Sequence, residues 1–218
     1  MDKILLAIEN QIKTVFAADS SGHDIYHLKR VMNLALHIQE KEGGDRLIIA
    51  ASALVHDVHR IIQNQTGKFC APKDSLPQVS AILDKVDFPE DKKANVLHCV
   101  EYHAEYNFSQ AGKTVADIET LILQDADNLD AIGAIGIGRT FAFGGSHGVT
   151  LWAPEIPFDR EFYDESESDP SVLHHFYSKL LKLQDNMNTE TAKKMAQKRH
   201  EFMQQFIREF VDEWHGKK

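Results

Sequence analysis

Leu47-Ile48-Ile49-Ala50-Ala51-Ser52-Ala53-Leu54-Val55-His56-Asp57 is apolar on nearly every side and then ends in an imidazole beside a carboxylate. A helix that is hydrophobic all round is buried in the middle of a fold. The stretch therefore predicts a central helix over about residues 45–58 whose C-terminal end delivers His56 and Asp57. It is far too short to span a bilayer, which takes roughly 20 apolar residues. Neighbouring side chains on a regular helix point in different directions. His56 and Asp57 can act together only if the helix end distorts or a ligand lies across its terminus.

The flanking sequence keeps the helical period. Ile4, Leu5, Ile8, Ile12, Val15 and Phe16 share one face of a first helix, which Ser20-Ser21-Gly22 stops. A second, over 24–42, carries Leu28, Val31, Met32, Ala35 and Ile38 in one stripe and ends at Gly43-Gly44, where glycine suits a helix C-terminus. Residues 61–77 turn polar, with Gly67, Pro72 and Pro77, and read as a long loop beside the His-Asp pair. Helices are predicted over 78–87, 90–106 and 116–137. Phe143-Gly144-Gly145-Ser146-His147-Gly148 then opens an irregular stretch running to Asp169-Pro170, a helix start with proline in the first turn. Two last helices, 171–185 and 189–215, place Leu173, Phe176 and Leu180, then Met195, Phe202, Phe206 and Phe210, at spacings of three and four. No segment alternates with period two for long enough to form a strand. The expected architecture is all-α, a single domain over 1–218 with a core at about 20–137 and a helical extension over 138–218.

Composition narrows the function classes. With 218 residues, 43% hydrophobic and 26% charged, and only 12 Gly and 6 Pro, disordered and collagen-like readings are excluded. A chain of this size buries roughly 70% of its unfolded surface and needs neither disulfide nor structural metal to fold. Lys plus Arg at 24 against Asp plus Glu at 33 gives a net charge of −9, so the chain repels phosphate backbones and duplex nucleic acid is not an expected partner. An anionic small molecule binds only where a local cation reverses that field. Cys70 and Cys99 make no disulfide framework, and no signal-peptide pattern follows Met1. A soluble cytoplasmic protein with no membrane partner is expected.

Four side chains supply chemistry: His27 in an amphipathic helix, the His56-Asp57 pair, and Asp127 within Gln124-Asp125-Ala126-Asp127-Asn128-Leu129. Imidazole with carboxylate oxygen is a donor set that divalent metals accept, and three or four protein ligands leave positions open to water. The pattern His27-x-x-Arg30-Val31, His56-Asp57, Ala126-Asp127-x-Leu129 resembles the HD-domain metal-dependent phosphohydrolase superfamily. The run Gln124 to Ile137, the Gly-Gly-Ser-His-Gly loop, and the tail Phe176-Tyr177 through Leu180-Leu181 to Asn188-Thr189-Glu190-Thr191-Ala192 resemble its YedJ/YpgQ-like branch, so the likeness spans about residues 20–214.

The resemblance implies an HD-domain helical bundle with additional C-terminal helices, and a metal held by His27, His56, Asp57 and Asp127. Asp125 competes for the last position; the Ala-Asp-x-Leu frame favours Asp127 and leaves Asp125 to cap, orient a ligand or hold a water. The implied ion is Mn²⁺ or Mg²⁺, with Co²⁺, Ni²⁺ or Fe²⁺ also acceptable to such a set. The implied reaction is hydrolysis of a phosphorylated small molecule, a nucleotide, and for this branch pyrophosphohydrolysis of nucleoside triphosphates; a nucleoside monophosphate phosphatase or other phosphoester hydrolase is the alternative. No Gly-Tyr-Pro follows, which argues against the branch acting on cyclic dinucleotides. A diiron oxygenase would need two more histidines. His98 and His103 are the nearby supply, and their five-residue separation, about 140° around a helix, fits poorly. A metal-stabilised nucleotide sensor is the third class.

Candidate catalytic residues are Asp57, a metal ligand first, with proton transfer from the bound water left open by the sequence; His103, as phosphate contact or proton donor to the leaving group; and Arg30, which either binds phosphate or braces Asp125 or Asp127. His59, Arg60 and His147 are candidate substrate contacts. His23 stands at the site mouth or caps the next helix. His37, His174, His175, His200 and His215 fall on helix surfaces and receive no role. Gly144-Gly145 and Gly148 are not a Walker loop, since no Gly-Lys-Ser or Gly-Lys-Thr follows. Lys193-Lys194 and Lys198-Arg199 read as a solvated helix face. The Phe202, Phe206, Phe210 stripe is core or the surface of a homodimer.

Overall fold

The computed structural model describes residues 2–13, 16, 24–109, 112, 114–158 and 167–218, and no strand occurs among them. The helices are α1 (Asp2–Lys13), α2 (Ile25–Glu42), α3 (Arg46–Val55), α4 (Val58–Thr66), α5 (Leu76–Lys85), α6 (Glu90–Tyr102), α7 (Ile118–Asp130), α8 (Gly133–Ser146), α9 (Val172–Ser178) and α10 (Glu190–Trp214), with 3-10 turns at Pro72–Ser75 and Leu180–Asn186. Val15, the Ser20-Ser21-Gly22 stop and His23 lie outside the described residues.

α3 is central, as its composition demands. Every side chain from Ile48 to Val55 is buried, and α1, α2, α6 and α7 pack around it. Side-chain caps set the start of the helices that matter for the site. Asp24 accepts from His27 N at 2.9 Å at the head of α2, and Asp45 accepts from Leu47 N and Ile48 N at the head of α3. Each such cap contributes about 1 kcal/mol. No helix among the described residues is long and apolar enough to cross a membrane.

Several boundaries differ from expectation. Residues 61–66 are helical, because Val58, His59 and Ile61 bury one face of α4 while its polar residues form the solvent face; the loop begins only at Gly67, in the left-handed conformation. α6 ends at Tyr102, not at 106. The expected helix over 116–137 is two helices, since Ile132 is extended and Gly133 takes φ +76°, and α8 then continues through residues 138–146, where an irregular stretch was expected. Ser171, not Asp169, caps α9, whose regular turns end at Ser178. Phe202 is exposed, and Met203 and Ile207 take the core positions beside it.

A side chain at Gly133 would adopt the left-handed conformation that L-residues disfavour and would press on the Arg199 stem. Gly133→Ala is expected to destabilise the protein by roughly 1–2 kcal/mol, read from the urea midpoint at unchanged m-value.

Candidate metal centre

The chain breaks where the two functional residues must converge. α3 stops at Val55, Asp57 leaves helical geometry at φ −90°, ψ 13°, and α4 starts at Val58, so His56 and Asp57 turn toward one point. α2 brings His27 and α7 brings Asp127 to it. His27 Nε2 lies 3.2 Å from Asp57 Oδ2 and 3.5 Å from Asp127 Oδ1, and His56 Nε2 lies 3.7 Å from each of those carboxylates. Donors sharing an ion at bond lengths of about 2.1 Å stand roughly 3–3.5 Å apart. His56 Nε2 is fully buried and makes no hydrogen bond, a position that costs free energy unless a cation or proton occupies the point between the groups. The donor set fits a divalent metal.

The imidazoles share one orientation. His56 Nδ1–H donates to Ala53 O at 2.9 Å, His59 Nδ1–H to His56 O at 3.1 Å and His103 Nδ1–H to Val100 O at 2.7 Å. Spending Nδ1–H outward fixes the ring and leaves Nε2 as the ligand atom. The field of the cluster is negative: burial opposes it, yet Asp57 and Asp127 push the His56 imidazole up to about 9. Burial and the neighbouring His56 push His103 down to about 4. Against burial, His56 and His27 hold Asp127 well below the usual carboxylate range.

Asp130, which the sequence reading passed over, anchors the cluster from behind. It accepts from His27 Nδ1 at 2.8 Å, from Arg30 Nε at 2.8 Å and Arg30 NH2 at 3.0 Å, and from Arg139 NH1 at 3.0 Å. Its signal was present in the three-residue step from Asp127, which puts both carboxylates on one side of α7. Arg30 is thereby committed to Asp130, not to Asp125, Asp127 or a phosphate, and it lies outside the lining of the cavity. Asp125 faces away from the metal point: it accepts from Asn188 N, Asn188 Nδ2, Thr189 N and Thr189 Oγ1 at 2.7–3.0 Å and ties α7 to the head of α10.

A cavity of about 560 Å³ opens over Asp57 and Asp127, and Arg60, His103, Arg139 and His147 stand in its lining. Arg60 Nε is 4.0 Å from Asp57 Oδ1. His147 is exposed, stacked on Phe143, with Nδ1–H bonded to Phe143 O at 2.9 Å. His59 is buried beside His103, with ring centroids 5.4 Å apart, and does not stand in the lining of this cavity. With Nδ1–H committed and the ring neutral, His103 presents an acceptor, which suits holding a proton of water and not donating one. His98 is exposed and paired with Asp117 at 3.0 Å; among the described residues His56, His103 and Asp127, and likewise Asp57, His59 and His103, form further groups whose donor atoms are close enough for an ion. His174 and His175 are not on a solvent face. His174 is buried against Ser171 and Ile156 O, and His175 lines the cavity.

Comparison with known proteins agrees with this geometry. The HD domain family profile matches residues 24–132. The chain is 36% identical over 205 residues to the uncharacterized protein YpgQ of Bacillus subtilis strain 168, covering 93% of this chain and 89% of that one. The crystal structure of a Bacillus thuringiensis HD-superfamily hydrolase superposes with a TM-score of 0.70 at 38% identity, covering 98% and 97% of the two chains. The crystal structure of B. subtilis YpgQ in complex with ADP superposes with a TM-score of 0.75 at 34% identity, covering 97% and 95%. The chain belongs to the HD-domain family and is a metal-dependent phosphohydrolase of that superfamily.

Proposed function

We propose that the protein hydrolyses nucleoside triphosphates to the monophosphate and pyrophosphate at a divalent ion, Mn²⁺ or Mg²⁺, held by His27, His56, Asp57 and Asp127. One observation carries the reading. In a chain of net charge −9, two buried imidazoles and two carboxylates, of which Asp57 is buried and Asp127 partly so, cluster at the floor of a cavity of about 560 Å³ whose wall presents Arg60 and Arg139. That volume lies in the range of small-molecule sites. The complex of YpgQ with ADP supports a nucleotide as the ligand.

A divalent ion in such a set lowers the pKa of a bound water and offsets charge on phosphorus oxygens. The protein's side chains supply the remaining terms. Arg60 and Arg139 offer planar N–H donors to phosphate oxygens, and their attraction is strengthened in a site that excludes bulk water. Neutral His103, lining the same cavity, accepts a water proton on Nε2. Asp130 keeps His27 in the tautomer whose Nε2 faces the ion, while Arg30 and Arg139 keep Asp130 ionised.

Metal-stripped protein resupplied separately with Mn²⁺, Mg²⁺, Co²⁺ and Fe²⁺, given a panel of nucleoside mono-, di- and triphosphates, tests the reading. Pyrophosphate from triphosphates, released only when metal is present, is the expected result. Phosphate from monophosphates in its place assigns a nucleotidase, and no release across the panel overturns the substrate class. Metal content per chain, measured on the same samples, distinguishes occupation of one group of ligands from occupation of two.

A further inference from the structure

We infer that α8 carries a nucleobase subsite, in which the stacked rings of Phe143 and His147 seat the base of the nucleotide, so that the ligand is selected by its base as well as by its phosphates. The identity of the ligand rests on the nucleotide reading above. Two helices leave the floor of the cavity, and each lines it with one face. α4 starts at Val58, beside Asp57, and contributes Arg60, Gln63 and Asn64; α8 starts at Gly133, three residues after Asp130, and contributes Arg139, Phe143 and, at its C-terminal cap, His147. Steps of three and four keep these side chains on one side of each helix. The chemistry runs in the same order along both. The arginine nearest the start is tied back to an acid of the floor, Arg60 Nε 4.0 Å from Asp57 Oδ1 and Arg139 bonded to Asp130 Oδ2 at 3.0 Å. One turn farther along, about 5.4 Å on the axis, the arginines give way to side-chain amides on α4 and to aromatic rings on α8. Phosphate beside the arginines and base at the next turn is the order of the nucleotide itself.

An exposed phenylalanine taken singly needs no explanation. Phe143, 43% exposed, stands instead in the cavity wall, with the His147 ring stacked on it at 4.1 Å between centroids and 21° between planes. The pair is held in place. His147 Nδ1–H bonds to Phe143 O at 2.9 Å, and the Ser146 hydroxyl donates to the same carbonyl at 2.8 Å. A Cβ at the next residue, Gly144, would collide with Val172, so the bare backbone of α8 lets the start of α9 approach closely and fixes the helix where Phe143 leaves it. A ring already held loses little freedom when a planar ligand is laid on it. Every base has a π-face, so such a platform accepts bases in general. The amides of Gln63 and Asn64, in the lining of the same cavity, supply donors and acceptors for the base edge. Neither Phe143 nor His147 lies within the 24–132 stretch that the family profile matches. The chemistry then belongs to the shared region and the hold on the base to α8.

The test is calorimetric binding of AMP and of ribose 5-phosphate, each with Mn²⁺, to the wild-type protein and to Phe143→Leu, Phe143→Tyr and His147→Ala, with thermal unfolding of each variant as the check on folding. The two ligands share ribose and phosphate and differ in the base. Wild-type protein is expected to bind AMP at least about tenfold more tightly than ribose 5-phosphate, as one base–aromatic stack supplies. Phe143→Leu keeps apolar bulk without a π-face and is expected to cut that ratio severalfold, whereas Phe143→Tyr keeps most of it. His147→Ala removes the backing ring and is expected to lower the ratio as well. A wild-type ratio near one overturns the inference, as does absence of AMP binding or a ratio that both Phe143→Leu and His147→Ala leave intact. If Phe143→Leu does not fold, the His147→Ala ratio decides. Because the readout is a ratio of binding constants, loss of turnover on the nucleotide panel with the ratio intact removes only the reaction proposed above, and turnover with a ratio near one removes only the base subsite.

Discussion

His56→Ala is expected to lower metal-dependent turnover by at least about a thousandfold, a loss of roughly 4 kcal/mol of transition-state stabilisation. His56 Nε2 is the buried nitrogen that makes no hydrogen bond and faces both Asp57 and Asp127. Removing it leaves two carboxylates and one imidazole to hold the ion. The second readout is thermodynamic. An ion at 100 times its dissociation constant stabilises the folded state by about 2.7 kcal/mol, which for a chain of this length raises Tm by about 5–10 °C. The variant should lose most of that rise. Far-UV circular dichroism should change little, because His56 lies between α3 and α4 and not within either helix. Asp57→Ala should behave alike in turnover. Full metal-dependent activity in either variant would falsify the ligand assignment.

Asp130→Asn is expected to destabilise the metal-free protein by about 3 kcal/mol, although Asp130 is not placed among the metal ligands. The side chain is buried and serves as common acceptor for His27, Arg30 and Arg139. A neutral amide leaves the two guanidiniums without their charge partner, and breaking such a buried pair from one side costs several kcal/mol. The amide can also donate toward His27 Nδ1, which would invert the tautomer and turn a protonated Nε2 toward the metal point. Metal affinity should fall by about 10- to 100-fold, the usual cost of losing the carboxylate behind a ligating histidine. Urea unfolding of stripped protein and a metal titration measure the two effects separately.

The same residue gives the pH dependence. Burial opposes ionisation, but the bonds from His27 and Arg30 hold the Asp130 carboxyl down to about 2, below the unfolded value of about 3.9. The native state binds that proton less readily, so the contribution, about 2 kcal/mol, is fully present above about pH 4 and is lost as the pH falls toward 2. The stability gap between wild-type protein and Asp130→Asn should therefore narrow over that interval. A gap of constant size from pH 5 to 2 would show that the carboxylate charge is not what stabilises the network.

The sequence carried the helical class and the central place of α3, because apolar period is a local property of the chain, and its resemblance to a known family singled out the four side chains that the fold brings together. It also carried the condition on His56 and Asp57: adjacent residues converge only at a helix break, and the break is there. Helix limits were less legible where a buried face is short. In α4, Val58, His59 and Ile61 suffice to seat a helix whose other residues are polar, and a window average reads that as loop.

Tertiary structure decided the rest. Asp125 and Asp127 are two apart on α7, and spacing alone says only that they face different ways. Which one meets the metal point depends on the rotation of α7 against α2 and α3, and on Asn188 and Thr189 arriving from the head of α10 to take Asp125. Arg30 bonds a carboxylate 100 residues away, and His103 finds His59 instead of His98 because α6 ends at Tyr102. His175 reads as a surface residue until α9 packs on α8 and the side chain joins the cavity lining. Periodicity states which residues share a face of their own helix. Which faces meet across helices is fixed by crossing geometry and by breaks such as Gly133, and those are properties of the packed whole.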